Sequence, residues 1–566
     1  MHGGGMATQK KNPSLLFYIS AVAFFCLEIH GSVWYIVGIP LALVALFFLC
    51  KKINVAEELR CAAGMRVFCL LSALGTCIFG ARNFHFLHIL SVPSSRLRAL
   101  VAAHGMLRPY TVTSIVAAIL GAAVGLYFAY AVCVFVCKRL LAFITDFFHR
   151  QGISRAEKIT YGVLFAVSAI LITTFYLNSD VFFPKHPEKA NDTVFSADCQ
   201  LLIVSNNAFL SLAHGENDIR QPLFSVFASP FGAISYLVSL AVPFRWSLPL
   251  FTALANLALL LLSTLILSRL LRLSSLERIL FAIVSSLTFS HIAFSLFIEQ
   301  YIVAVLYLFM LLYAYCEHKR LDMFALYAAT GTLTTSCAAA LFMAEPSPQK
   351  NPAARIKRLF FLALGFVVLV VAFCRAEVFD FKDTINLMRF TGAKTAVPFS
   401  MRLLQFFDSV PYYFVSPAAK VVFSPETLDA SGNVISPAHC YYTIAEVTKL
   451  SVPGIVILIL CGASAFINRR NVLARFSAFW IAFCFLLTGV VGWGCGTAEN
   501  TLFLYALYFG WAYFVLLFML VQNVAEVFRA KWLVSAVSAA ACVVLLLLNI
   551  PGVKSMIDFA FTYYPL

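Results

Sequence analysis

The sequence predicts an all-α polytopic membrane protein with about 12–14 transmembrane helices and two long extracytoplasmic loops carrying amphipathic helices. Three observations carry this prediction. The chain of 566 residues is 61% hydrophobic and 12% charged, with a mean hydropathy of +0.89, whereas soluble domains carry about 25% charged residues. Apolar runs of roughly 20 residues recur along the whole length, and they are continuous rather than alternating, which excludes a membrane β-barrel. Lys and Arg cluster in short segments between the runs, as the positive-inside rule expects. The net charge of +15 is therefore a topology signal and implies no nucleic-acid partner.

Taken in order, a polar tail (1–13) precedes apolar runs at 14–29, 32–50, 64–81 and 112–137. No small-residue cleavage site follows the first run, so it reads as a span rather than a cleaved signal. Lys51-Lys52 and Lys138-Arg139 close the second and fourth runs and place the N-terminus in the cytoplasm. A basic amphipathic linker (139–158) leads to a span at 159–177, whose exit puts 178–221 outside.

The run 222–242 is long enough to cross. If it crossed together with 246–267, Arg269, Arg272 and Arg278 would lie outside, so the charge rule makes it one or two interfacial helices, with Pro222 and Pro230 as helix starts. Spans at 279–298 and 301–316 meet outside at Glu299-Gln300-Tyr301. In 323–343, the Thr, Gly and Ser residues of 331–336 predict a broken, re-entrant helix lining a cavity. A span at 359–374 leads to a second polar stretch (375–449). Spans at 452–467, 473–491, 501–521 and 533–549 follow, leaving the C-terminus outside. The regions are thus 1–157, a four-helix membrane region; 158–375, a core with the first outer loop at 178–245; 376–450, the second loop; and 451–566, the C-terminal helices.

The chemistry-bearing residues concentrate in the loops. Of 26 acidic residues in the chain, Asp180, Asp192, Asp198, Glu216 and Asp218 fall within the first loop. The second offers Arg375, Asp380, Lys382, Asp383, Arg389, Lys394 and Arg402. Acids and bases beside an apolar platform suit a lipid-borne anion: the tail stays in the membrane, cations hold a phosphate and a carboxylate serves as base. Leu201, Val204, Ala208 and Leu212 form a helical stripe. Asp198 therefore reads equally well as the cap of that helix, and Asp218 as a cap of the turn into Pro222. Glu299, ionisable at a helix break, is a further candidate. His291, on an apolar run, reads as a core histidine.

Most of the 16 cysteines lie in apolar runs and act as small hydrophobes; none has paired zinc spacing. Cys199, Cys440 and Cys495 fall in outer segments, where a disulfide among them is feasible. The acids allow a divalent cation without ligand spacing that demands one, so no metal residues are assigned.

The order Asp198, Gly215, Arg220-Gln221-Pro222-Leu223-Phe224 resembles the first outer loop of C-type (GT-C) glycosyltransferases. Among these are the protein mannosyltransferase and aminoarabinose-transferase-like families. Residues 278–315, with the Glu299 break and a tyrosine-rich span, are similar too, and the likeness covers roughly 158–345. It implies a GT-C-like core and a transferase of the cell envelope. The enzyme moves a sugar from a polyprenyl-phosphate donor to an acceptor on the outer face, with a loop Asp as general base. Asp198 is the matching acid and Asp180 the rival; Cys199 stands where the families often have a second acid. Arg220, Asp218, Gln221, Glu299 and Arg375 are the substrate-binding candidates. A transporter or flippase for a lipid-linked or small anionic solute is the alternative, and a structural membrane protein without an active site is the third possibility.

Overall fold

The computed structural model describes residues 59–83, 107–182, 194–195, 199, 220–318, 321–343, 352–373, 397–416, 421–428, 434–436, 438–443, 447, 449–496 and 502–566. The chain falls into two compact units. One comprises Met1–Thr145, Ala208–Leu237 and Phe360–Phe381; the other comprises Asp146–Asn207, Val238–Leu359 and Lys382–Leu566.

Helices α1 (Ala63–Asn83) and α2 (Leu107–Gln151) come first. The sequence reading ended the second of these spans at 137 and began a linker. Instead α2 runs on to Gln151, because no helix breaker stands between Lys138 and Arg150. Gly152, at φ 57°, then ends it. Helix α3 (Arg155–Asn178) starts with a capping box between Ser154 and Glu157.

The segment expected as one or two interfacial helices is a single helix, α4 (Phe224–Ala241), with Pro230 inside it rather than at a start. It is followed by α5 (Ser247–Leu270), α6 (Ser275–Leu287), α7 (Phe289–Leu296) and α8 (Gln300–His318). Helix α9 (Met323–Thr332) breaks at Leu333 into a 3-10 turn (Thr334–Cys337) and α10 (Ala338–Met343), so the polar centre interrupts the helix as its composition predicts. Helices α11 (Pro352–Phe373) and α12 (Phe399–Ser409) follow, then a 3-10 turn, Val410–Tyr413.

Two small antiparallel sheets then appear, which the sequence reading did not anticipate: β1 (Val421–Ser424) pairs with β4 (His439–Tyr442), and β2 (Thr427–Leu428) with β3 (Val434–Ser436). In the first, Val421 faces Tyr442. The chain finishes with α13 (Val452–Ile467), α14 (Val472–Cys484, continued by a π-helical turn to Val490), α15 (Ala506–Val527) and α16 (Trp532–Tyr563). The last is far longer than the run 533–549 suggested, since nothing after Pro551 stops it.

Among the described residues, seven helices are long and apolar enough to cross a membrane, or eight if the bent pair α6–α7 counts as one span. The chain is therefore an all-α protein of the integral-membrane type.

Within the larger unit, α3 and α5 pack antiparallel along their full length of about 36 Å, and a charge pair clips each end. At one end Arg245 donates to Asp180. At the other, Arg269 meets Glu157. Asp180 and Arg245 thus lie at one end of the pair, and Glu157 and Arg269 at the other. Helix α4 is itself one of the helices long and apolar enough to cross a membrane.

The 66° bend between α6 and α7 has a definite cause. The Phe289 N–H leaves the helical ladder and donates to the Phe414 carbonyl at 2.9 Å, while the Leu287 carbonyl accepts from the Asn549 side chain at 2.7 Å. The turn after α12 has been inserted into the ladder. Asn549 is buried and holds the join together: its Oδ1 accepts from the Ser416 N–H at 2.7 Å and its Nδ2 also donates to the Phe414 carbonyl at 3.0 Å. Gly552 allows the approach, because a Cβ there would strike Ser416. Asn549→Leu strands the Ser416 N–H and the Leu287 carbonyl, while the Phe414 carbonyl keeps the Phe289 N–H, and is expected to cost about 2–3 kcal/mol, read as a lowered unfolding midpoint in detergent.

Candidate functional site

The Asp180 end of the larger unit gathers the ends of several helices. Helix α3 finishes there, and the Tyr176 hydroxyl donates to the Leu296 carbonyl at 3.0 Å, which brings the end of α7 alongside. Phe182 meets Phe297 edge-on with ring centroids 5.8 Å apart. Two residues beyond Phe297 stands Glu299, completely buried, followed by buried Gln300 and Tyr301 at the start of α8. Asp180 and Glu299 therefore occupy one neighbourhood, although 119 positions separate them (299 − 180). The C-terminal segment closes over it: the Asp180 N–H donates to the Tyr564 carbonyl at 3.0 Å and the Ser179 hydroxyl to the Ala560 carbonyl at 3.1 Å.

Asp180 is 4% exposed. Its Oδ2 accepts from Arg245 Nη2 at 3.2 Å, and the Arg245 guanidinium lies 4.3 Å from the Trp246 ring centre. The Arg245 side chain remains 54% exposed, so it can turn from Asp180 to an incoming anion. Arg245 is not among the candidates that the sequence alone singles out. A lone basic residue between two apolar runs was the available signal.

The two polar loops meet here. Phe195 donates its N–H to the Cys440 carbonyl at 2.9 Å and stacks on Tyr442 at 4.5 Å. Cys199 is buried, and its Sγ accepts from the Ile298 N–H at 3.3 Å. Asp198, Asp218 and Arg375 lie outside the described residues, but Cys199 directly follows Asp198 in the chain and Ile298 directly precedes Glu299. Arg220 and Gln221 are half-buried in the turn that leads into α4. The disulfide envisaged among Cys199, Cys440 and Cys495 is not formed. All three are buried free thiols; Cys199 and Cys495 have separate partners, with Cys495 donating to the Thr488 carbonyl at 3.4 Å. Burial pushes the Cys440 thiol and the neighbouring Tyr442 hydroxyl above their ordinary values.

The broken helix reaches the same region. Thr335 and Ser336 meet the Tyr508 hydroxyl at 3.2 and 2.8 Å, and Tyr508 lies 6.2 Å from Tyr301, ring to ring. Arg402, one of the second-loop cations, is committed elsewhere: it donates to the carbonyls of Val397 and Val490 and closes the π-helical turn. A small, partly open cavity lies beside the α6–α7 bend, lined among others by Ser263, Thr264, Thr288, Ser290, His291 and Trp511. His291 is buried as expected, with its Nε2 unpartnered among the described residues. The acids at this end form no set of three metal ligands among the described residues; the set that does is Cys69, Cys133 and Cys137.

No protein-family model, curated protein or solved structure matches this chain.

Proposed function

We propose that the protein is an integral-membrane glycosyltransferase of GT-C-like architecture, moving a sugar from a polyprenyl-phosphate donor to an acceptor hydroxyl on the extracytoplasmic face. The observation that carries this is the tethering of the first loop: the residue after Asp198 is bonded to the residue before Glu299, at the helix end that also holds Asp180 and Arg245. A loop carboxylate, a buried acid and a half-exposed cation beside apolar helix ends are the parts that a lipid-phosphate donor requires.

In this reaction the Asp198 carboxylate takes the acceptor hydroxyl proton, and the oxygen attacks the anomeric carbon. The bond from that carbon to the phosphate oxygen breaks, and the polyprenyl phosphate leaves with the electron pair. Arg245 offsets the charge developing on the phosphate, with Arg220 as a second cation carried over from the family likeness. Asp180 holds Arg245 until the donor arrives.

A transporter for a lipid-linked or small anionic solute is the second reading, favoured by the interrupted helix at Thr334–Cys337 and the α6–α7 bend. Reconstitution of the purified chain in vesicles with labelled polyprenyl-phosphate sugar separates the two. The transferase releases polyprenyl phosphate and forms a new glycoside. The transporter moves intact label across the bilayer. Intact donor on its original side, with candidate acceptors supplied, rules out both.

A further inference from the structure

In the smaller unit, α1 and α2 bring three thiols to one point. Cys69 comes from α1. Cys133 and Cys137, four residues apart, share one face of α2. Their three sulfurs lie within 4.8 Å of one another, and Cys133 Sγ and Cys137 Sγ are 3.8 Å apart. Thiolates sharing a tetrahedral ion at ~2.3 Å sit ~3.8 Å from each other, so this pair already has the separation of co-ligands. Cys69 is fully buried and Cys133 is 3% exposed, while Cys137 is only partly buried and leaves a way in. Around them pack Leu59, Phe68 and Val134, which exclude water, together with two more soft donors, Cys61 and the Met65 thioether.

We propose that Cys69, Cys133 and Cys137 bind a thiophilic d10 metal ion, monovalent copper or zinc, with Met65 or Cys61 as the fourth donor. Sulfur donors without carboxylates select these ions over calcium, magnesium or manganese. Binding releases up to three thiol protons to solvent when Met65 is the fourth donor, and up to four when Cys61 is. With Met65 the complex carries one negative charge around a divalent ion, or two around a monovalent one, and with Cys61 one more in each case. Cations offset that charge: Arg66, whose Nε donates to the Cys61 carbonyl at 2.8 Å, and Lys138 and Arg139, which directly follow Cys137. These basic residues also mark the end of the helix pair that the positive-inside rule assigns to the cytoplasm, where thiols stay reduced.

The test uses the full chain purified in detergent, reduced and stripped of metal. In separate arms it is loaded with Zn(II) alone and, under anaerobic conditions, with Cu(I) alone. One of the two ions is expected to remain at one equivalent per chain after gel filtration. It should raise the unfolding midpoint and protect Cys69, Cys133 and Cys137 from alkylation, while the exposed Cys337 still reacts. Cys133→Ser and Cys137→Ser should each weaken retention at least about tenfold, and Cys542→Ser should not. Retention of neither ion, equal retention in both variants, or a disulfide among the three mapped by peptide analysis overturns the proposal. The alkylation readout on the unaltered chain keeps the test decisive if a variant misfolds.

Discussion

Glu157→Ala is expected to lower stability by about 3–5 kcal/mol, the range for removing one partner of a buried ion pair. Glu157 is completely buried at the first turn of α3 and answers two arginines, Arg269 Nη2 at 2.9 Å and Arg278 Nε at 2.7 Å. The Arg269 side chain is 2% exposed; it also donates to the Gly152 carbonyl at 2.8 Å, and its Nε and Nη1 have no partner among the described residues. Without Glu157 a full positive charge stays in an apolar interior. Arg278, partly exposed and bonded to the Leu273 carbonyl at 2.6 Å, can turn toward solvent. The unfolding midpoint in detergent measures the loss, with the exposed pair of Asp146 and Arg150 as control, where Asp146→Ala should change stability by no more than about 1 kcal/mol. The double variant Glu157→Ala, Arg269→Met removes both the acid and the stranded charge and should recover most of the loss. A double variant as unstable as the single one would show that the cost lies in packing rather than charge.

Asp198→Asn is expected to lower sugar transfer about 10²–10⁴-fold, the usual contribution of a general base, while leaving the unfolding midpoint almost unchanged. Asparagine caps a helix as well as aspartate does but cannot accept the acceptor's proton. The substitution therefore separates the catalytic role from the capping role that the sequence equally allows. Initial rates of label release from the donor in membranes provide the measurement. Asp180→Asn is the companion variant. Because Arg245 is half-exposed, losing its partner should cost only about 0–1 kcal/mol of stability. If Asp180 rather than Asp198 is the base, the large loss moves to this variant; unchanged transfer in both sinks the base assignment.

The same logic explains why some features were visible in the sequence and others were not. The Glu299 break and the interruption at 331–336 were legible because charge and hydroxyl residues inside apolar runs resist burial in a continuous helix. The bend at Thr288 was not, since its cause is a segment more than a hundred residues away that donates and accepts through backbone groups. The strands of 421–442 lay within a stretch of mixed polarity with no sustained period. Arg269 and Arg278 read only as topology markers and Arg245 drew no role, because their acids lie 112, 121 and 65 positions distant (269 − 157, 278 − 157 and 245 − 180). Cys133 and Cys137 looked like apolar fillers until α1 supplied Cys69.

By itself, the sequence determined the membrane class, most helix positions and the polar segments that gather at the helix ends. These follow from local rules: an apolar run of about 20 residues satisfies its backbone only as a helix, and charge within it is costly enough to be conspicuous. Only the tertiary structure decided which charge answers which, that Asp180 and Arg245 share one end while Glu157 and Arg269 share the other, and that three cysteines meet. Pairing across long separations depends on how helices pack side by side, and that register is set by side-chain fit over their whole length rather than by any one segment.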